Sequence, residues 1–106
     1  MIINLEQGQS LDKIIKEAGS KPVLIDFYAD WCGPCRLLGP IIDKADKYNE
    51  GEFVVVKINI DHHEAYASQF QVKSIPALFY FKDGEQKASS VGFIDEISLV
   101  TKLKNL

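Results

Sequence analysis

Apolar residues recur along this chain with two periods. Val23-Leu24-Ile25-Asp26-Phe27-Tyr28-Ala29 is apolar except at Asp26, and Phe53 to Ile60 is a β-branched run broken only by Lys57 and Asn59. Near-continuous apolar runs of this length read as strands buried on both faces. Between them Cys35, Leu38, Ile42 and Ala45 fall at helical spacing, which predicts a helix from about Pro34 to Tyr48. Pro34 suits the first turn, where its missing N–H costs nothing, whereas Pro40 removes a backbone bond to Arg36 and predicts a kink. Two parallel buried strands joined by a helix form a right-handed βαβ unit.

The flanking segments extend this unit. Ile2 to Leu5 is a short strand, and Ser10 can cap a helix carrying Leu11, Ile14, Ile15 and Ala18 up to Gly19. Asp61 is placed to cap a short third helix, with Glu64 completing a capping box and Ala65, Tyr66, Ala67 and Phe70 as its apolar residues. Ala77–Phe81 and Lys87–Val91 flank Asp83-Gly84, a hairpin signal, so these strands run antiparallel. Asp95 can cap a last helix, with Ile94 and Leu99 as a staple and Ile97, Val100, Leu103 and Leu106 as its apolar side. The predicted order is β-α-β-α-β-α-β-β-α, an α/β fold with a mixed sheet and helices on its faces. No linker or repeat interrupts residues 1–106, so one domain is expected.

Composition narrows the function. The net charge is −3 and no basic tract occurs, which argues against nucleic-acid binding. No apolar run reaches the roughly 18 residues of a membrane span. Met1 to Glu6 lacks the basic and apolar regions of a secretory signal, so a reducing, cytoplasmic setting is expected.

The two cysteines, Cys32 and Cys35, stand at the junction of the first buried strand and the following helix. A bond between them closes a tiny loop and constrains the unfolded chain little, so a structural role is disfavoured. A dithiol/disulfide pair that trades electrons is the expectation. Cys32 at the helix N-terminus meets free N–H groups and the positive dipole end, which favour its thiolate. It is the expected nucleophile, exposed, and Cys35, one turn further in and more buried, the expected resolving thiol. Zinc would need four ligands, and only His62 and His63 remain as soft candidates; no metal site is expected. Gly33-Pro34 adds no positive charge between the cysteines, which favours a reductant over an oxidase or isomerase. Burial should raise the pKa of Asp26, and Lys57, the lone charge on the neighbouring strand, is placed where it could pair with the acid and temper that rise.

Trp31-Cys32-Gly33-Pro34-Cys35, the preceding Asp26, Ile75-Pro76, Lys82-Asp83-Gly84 and Val91-Gly92 together resemble the thioredoxin family over nearly the whole chain. The resemblance implies a thioredoxin fold with four helices around a five-stranded mixed sheet of order 1-3-2-4-5. It implies a protein-disulfide reductase that holds no bound cofactor. A flavoprotein reductase, thioredoxin reductase, would recharge it from NADPH, and disulfide-containing proteins would be its substrates. It also implies a cis Pro76 and a role for Asp26 in proton transfer at Cys35. Trp31, Gly33, Pro34, Ile75, Val91 and Gly92 would then form a docking surface, and the protein would work as a monomer. The sequence departs from the family pattern at Tyr28, Ala77 and Phe93, the last two near that surface. A thioredoxin-fold binding module with little turnover is the rival reading from another class, and the intact Cys-Gly-Pro-Cys weighs against it.

Overall fold

In the computed structural model, which describes residues 1–106, the chain forms β1 (Ile2–Asn4), α1 (Leu11–Glu17), β2 (Val23–Tyr28), α2 (Gly33–Tyr48), β3 (Val54–Asn59), α3 (Glu64–Gln69), β4 (Ala77–Lys82), β5 (Glu85–Val91) and α4 (Glu96–Lys104). The five strands make one sheet of order β1-β3-β2-β4-β5. β3 runs parallel to β1 and β2, whereas β4 is antiparallel to both β2 and β5. This is the thioredoxin fold anticipated above. The central strand, β2, is the apolar run around Asp26, and it is buried along nearly its whole length.

Strand alternation divides the core in two. Val23, Ile25, Phe27, Val54, Val56, Ile58 and Ala77 face α1 and α3, whose Leu11, Ile15, Tyr66 and Phe70 close that side. Leu24, Val55, Leu78 and Tyr80 face α2 and α4 and meet Leu38, Ile42, Ala45, Leu99 and Leu103. α2 carries the predicted stripe and continues through Pro40 as one helix.

Local chemistry sets the ends of the elements. Ser10 accepts a hydrogen bond from Lys13 N at 3.2 Å, and Asp95 accepts one from Ser98 N at 2.8 Å, so both act as N-caps. Asp83 and Gly84 have φ of 53° and 80°, the left-handed pair that a two-residue hairpin requires. Two expectations fail. Asp61 does not cap α3: His63 occupies the cap position with no side-chain bond, and its ring nitrogen instead meets the Leu5 carbonyl at 2.9 Å. The Asp61 carboxylate is engaged elsewhere, by an indole N–H, and so does not serve the helix. Ile97 is 80 % exposed and takes no part in the apolar side of α4, which rests on Leu99 and Leu103 with Val100 half-buried. Residue 97 lies two positions before Leu99 on a 3.6-residue helix, which turns it away from the sheet.

Candidate active site

The end of β2 and the start of α2 build the reacting centre. Cys32 is the N-cap of α2, with extended backbone (φ −88°, ψ 112°). Its sulfur accepts a hydrogen bond from Cys35 N at 3.2 Å, and its carbonyl accepts one from Arg36 N at 3.1 Å. Sulfur here takes the place of the oxygen that caps most helices, and it faces the positive end of the helix dipole. Pro34 sits in the first turn, as expected. The Arg36 guanidinium donates to the Asp30 carbonyl at 3.0 Å and braces the loop leading into the cysteines. Cys32 and Cys35 are joined as a disulfide, with Cα atoms 5.2 Å apart.

Burial does not separate the two cysteines as expected. Cys32 is 5 % exposed and Cys35 8 %, so Cys32 is not the exposed member and Cys35 is not the more buried. Once bonded, both sulfurs share one nook formed with Ala29 and covered by Tyr28, Ile60 and Ile75. What distinguishes Cys32 is its place at the helix end.

A second loop faces this pair. The Ile75–Pro76 peptide is cis, and the Ile75 carbonyl oxygen lies 3.8 Å from the Cys32 sulfur. Pro76 itself is buried, and its carbonyl accepts from Gly92 N at 2.8 Å, tying the loop to the end of β5. Gly92 has φ of +92°, a conformation that favours glycine. Around the cysteines, Trp31 and Val91 are each 66 % exposed, Pro34 is exposed, and Gly33, Ile75 and Gly92 are half-buried. Phe93, 53 % exposed, follows them. The Trp31 ring is held in place, because its Nε1–H donates to the Asp61 carboxylate at 3.0 Å.

Asp26 lies on the sheet face covered by α2 and α4, directly opposite Lys57 in the β2–β3 register. It is buried, and its Oδ1 has no hydrogen-bond partner. Burial pushes its carboxyl pKa up to about 6, and the Lys57 charge only partly offsets this. The Asp26–Lys57 ion pair that the strand positions allow does not form. The Lys57 ammonium lies instead over the Tyr28 ring, 5.2 Å from its centroid. Lys57 is half-buried, and a long cationic side chain there can keep its head group near water while its stem covers apolar surface.

Two residues of the site escaped the sequence pattern. The spacing around Asp61 predicts a helix cap, and nothing in it points to Trp31. Tyr28 stood out only as a departure from a family pattern. No group of three or more His, Cys, Asp or Glu side chains is placed to hold a metal ion.

A redox-active cysteine pair at a helix N-cap, facing a cis-proline loop on this sheet topology, defines a thiol–disulfide oxidoreductase of the thioredoxin fold. The comparisons with known proteins agree. The family model described as Thioredoxin matches residues 3–105. A thioredoxin of Rickettsia felis is 46 % identical over 79 residues, covering 74 % of this chain and 75 % of the relative. Thioredoxin 1 of Synechococcus elongatus is 42 % identical over 84 residues, covering 79 % and 78 %. Among solved structures, a mutant thioredoxin from Halobacterium salinarum NRC-1 superposes with a TM-score of 0.83 at 35 % identity, over 97 % of this chain and 88 % of that one. The chain belongs to the thioredoxin family, and its activity is protein-disulfide reduction.

Proposed function

We propose that Cys32 is the attacking thiolate and Cys35 the resolving thiol. Reduced Cys32 attacks one sulfur of a substrate disulfide, and the other substrate sulfur leaves as a thiolate that takes a proton. Cys35 then loses its proton, attacks the Cys32 sulfur of the mixed disulfide, and releases the second substrate thiolate. The product is the Cys32–Cys35 disulfide, the state of this structure. The observation that carries the assignment is the Cys35 N–H directed at the Cys32 sulfur at the head of α2, a contact that favours negative charge on Cys32.

Asp26 is the group we assign to accept the Cys35 proton, directly or through water. Its support is burial beneath α2 with an unpartnered oxygen and a pKa of about 6, close to neutral pH. Lys57 adjusts that acid by its charge. Trp31, Gly33, Pro34, Ile75, Pro76, Val91 and Gly92 form the docking surface, on which an extended substrate segment would bond the Ile75 backbone like an added strand. The dithiol itself carries the electrons. NADPH acting through a flavoprotein thioredoxin reductase is the source we assign, the substrates are disulfide-containing proteins, and a monomer suffices for each step. A carrier that must return to the dithiol belongs in a reducing compartment, here the cytoplasm.

Trapping tests the order of attack. Cys35→Ser should accumulate a mixed disulfide with an oxidised protein substrate, visible as a reducible mass adduct, and Cys32→Ser should not. Adducts on Cys32→Ser alone would reverse the assignment.

A further inference from the structure

Lys57 and Asp26 face each other across the parallel β2–β3 pair, with directly opposed Cα positions and strands about 4.8 Å apart. An ion pair is the simplest arrangement for two such residues, and this chain does not make it. Asp26 Oδ1 is left buried without a partner, while the Lys57 ammonium sits over the face of Tyr28, 5.2 Å from the ring centroid. Tyr28 lies two residues beyond Asp26 on the same strand and therefore on the same face, nearer the strand's open end. It is half-buried, so a cation over it keeps some hydration while gaining the ring's electrostatic attraction. Burial, followed by the Asp30 and Asp26 charges, holds the Tyr28 hydroxyl above its usual pKa, with Asn59 pulling the other way. The ring is therefore neutral and attracts Lys57 through its face, not through a phenolate.

We propose that the Tyr28 ring holds the Lys57 ammonium and so keeps it from pairing with Asp26, which makes Tyr28 a positioning residue for the buried acid beneath the cysteine pair. The catalytic meaning of this arrangement rests on the reading of Asp26 as the proton acceptor. The other groups around Asp26 do not replace Lys57. Tyr80 of β4 is held neutral, chiefly by burial, and carries Lys102 of α4 over its own ring at 4.9 Å. On α2, Cys35 does not titrate as a disulfide, Arg36, Asp43, Lys44 and Lys47 are exposed, and Asp46 pairs with the N-terminal amine.

The test is a carbon-13 titration of the Asp26 carboxyl in the oxidised full chain, for the parent, Tyr28→Leu and Tyr28→Phe, each with and without Lys57→Met. Tyr28→Leu should free Lys57 to approach the acid and lower its midpoint by at least about half a unit. Tyr28→Phe keeps the ring and should leave the midpoint near the parent value. With Lys57→Met, the midpoint should rise, and Tyr28→Leu should then change nothing. A fall that persists with Lys57→Met would mean that the ring acts by excluding water, and it would overturn the proposal. So would an unmoved midpoint in Tyr28→Leu, or an equal fall in Tyr28→Phe. One measurement needs no variant: the Lys57 Hε protons should be displaced upfield by the ring current relative to exposed lysines, and unshifted resonances would also overturn the proposal. Insulin reduction followed across pH separates the two readings. If the carboxyl midpoint moves as expected and the rate profile does not follow it, Tyr28 keeps its role and Asp26 loses its own.

Discussion

Asp26 makes the folded chain less stable at neutral pH than the same chain with an apolar residue there. Its carboxyl titrates near 3.8 unfolded and near about 6 folded. Well below 3.8 both states hold the proton and no cost arises. As pH rises toward about 6, the unfolded chain ionises first and the folded state loses relative stability. Above about 6 both are ionised and the cost is complete, on the order of 3 kcal/mol for a rise from 3.8 to about 6. Asp26→Ala should therefore stabilise the fold at pH 7–8, with an advantage that shrinks as pH falls and vanishes only well below 3.8 in urea titrations. The same variant should slow insulin reduction and lose any rise in rate near pH 6. Asp26 was legible in the sequence as the sole polar residue in an apolar strand. The place of the Lys57 head group was not, because strand alternation assigns a face and leaves a four-carbon stem free to choose its partner.

Helix ends and turns follow local chemistry, and they were read where one side chain meets its own backbone. Ser10→Ala removes the bond to Lys13 N and should cost about 1 kcal/mol by chemical denaturation. Asp61 had a similar signature but accepts the Trp31 indole N–H across 30 residues of sequence, a choice that only folding creates. Asp61→Ala should leave helix content unchanged by circular dichroism and alter the fluorescence of Trp31, the only tryptophan in the chain. Ile97 departs from its sequence pattern for a related reason. Apolar character and helical spacing nominate a residue for the core, but the docking angle of α4 on the sheet selects Leu99 and Leu103.

The whole molecule adds cooperativity. Two apolar clusters lie on opposite faces of one sheet, and β2 contributes to both, so neither can unfold alone. Residues 1–106 should melt as a single two-state domain, with a calorimetric enthalpy of about 75 kcal/mol near 60 °C equal to the van't Hoff value. Two transitions would divide the domain. The proposed docking surface would gather Trp31 from the turn before α2, Ile75 from the cis loop and Val91 from the end of β5. Trp31→Ala should raise KM for a protein disulfide several-fold while leaving the reduction of a small aromatic disulfide nearly unchanged, because only the large substrate spans the patch.

Sequence by itself determined the order of elements, the faces of the strands, the hairpin, two helix caps and the redox chemistry of Cys32 and Cys35. Each is a matter of local spacing or of residue type, and the family resemblance supplied the strand order that spacing leaves open. Tertiary structure alone decided which neighbour each long or polar side chain took. It placed Lys57 on Tyr28, bound Asp61 to Trp31, buried Cys32 as fully as Cys35 and turned Ile97 to solvent. The physical reason is common to all four: periodicity reports the direction of a Cα–Cβ bond, whereas the partner depends on what another part of the chain brings within reach.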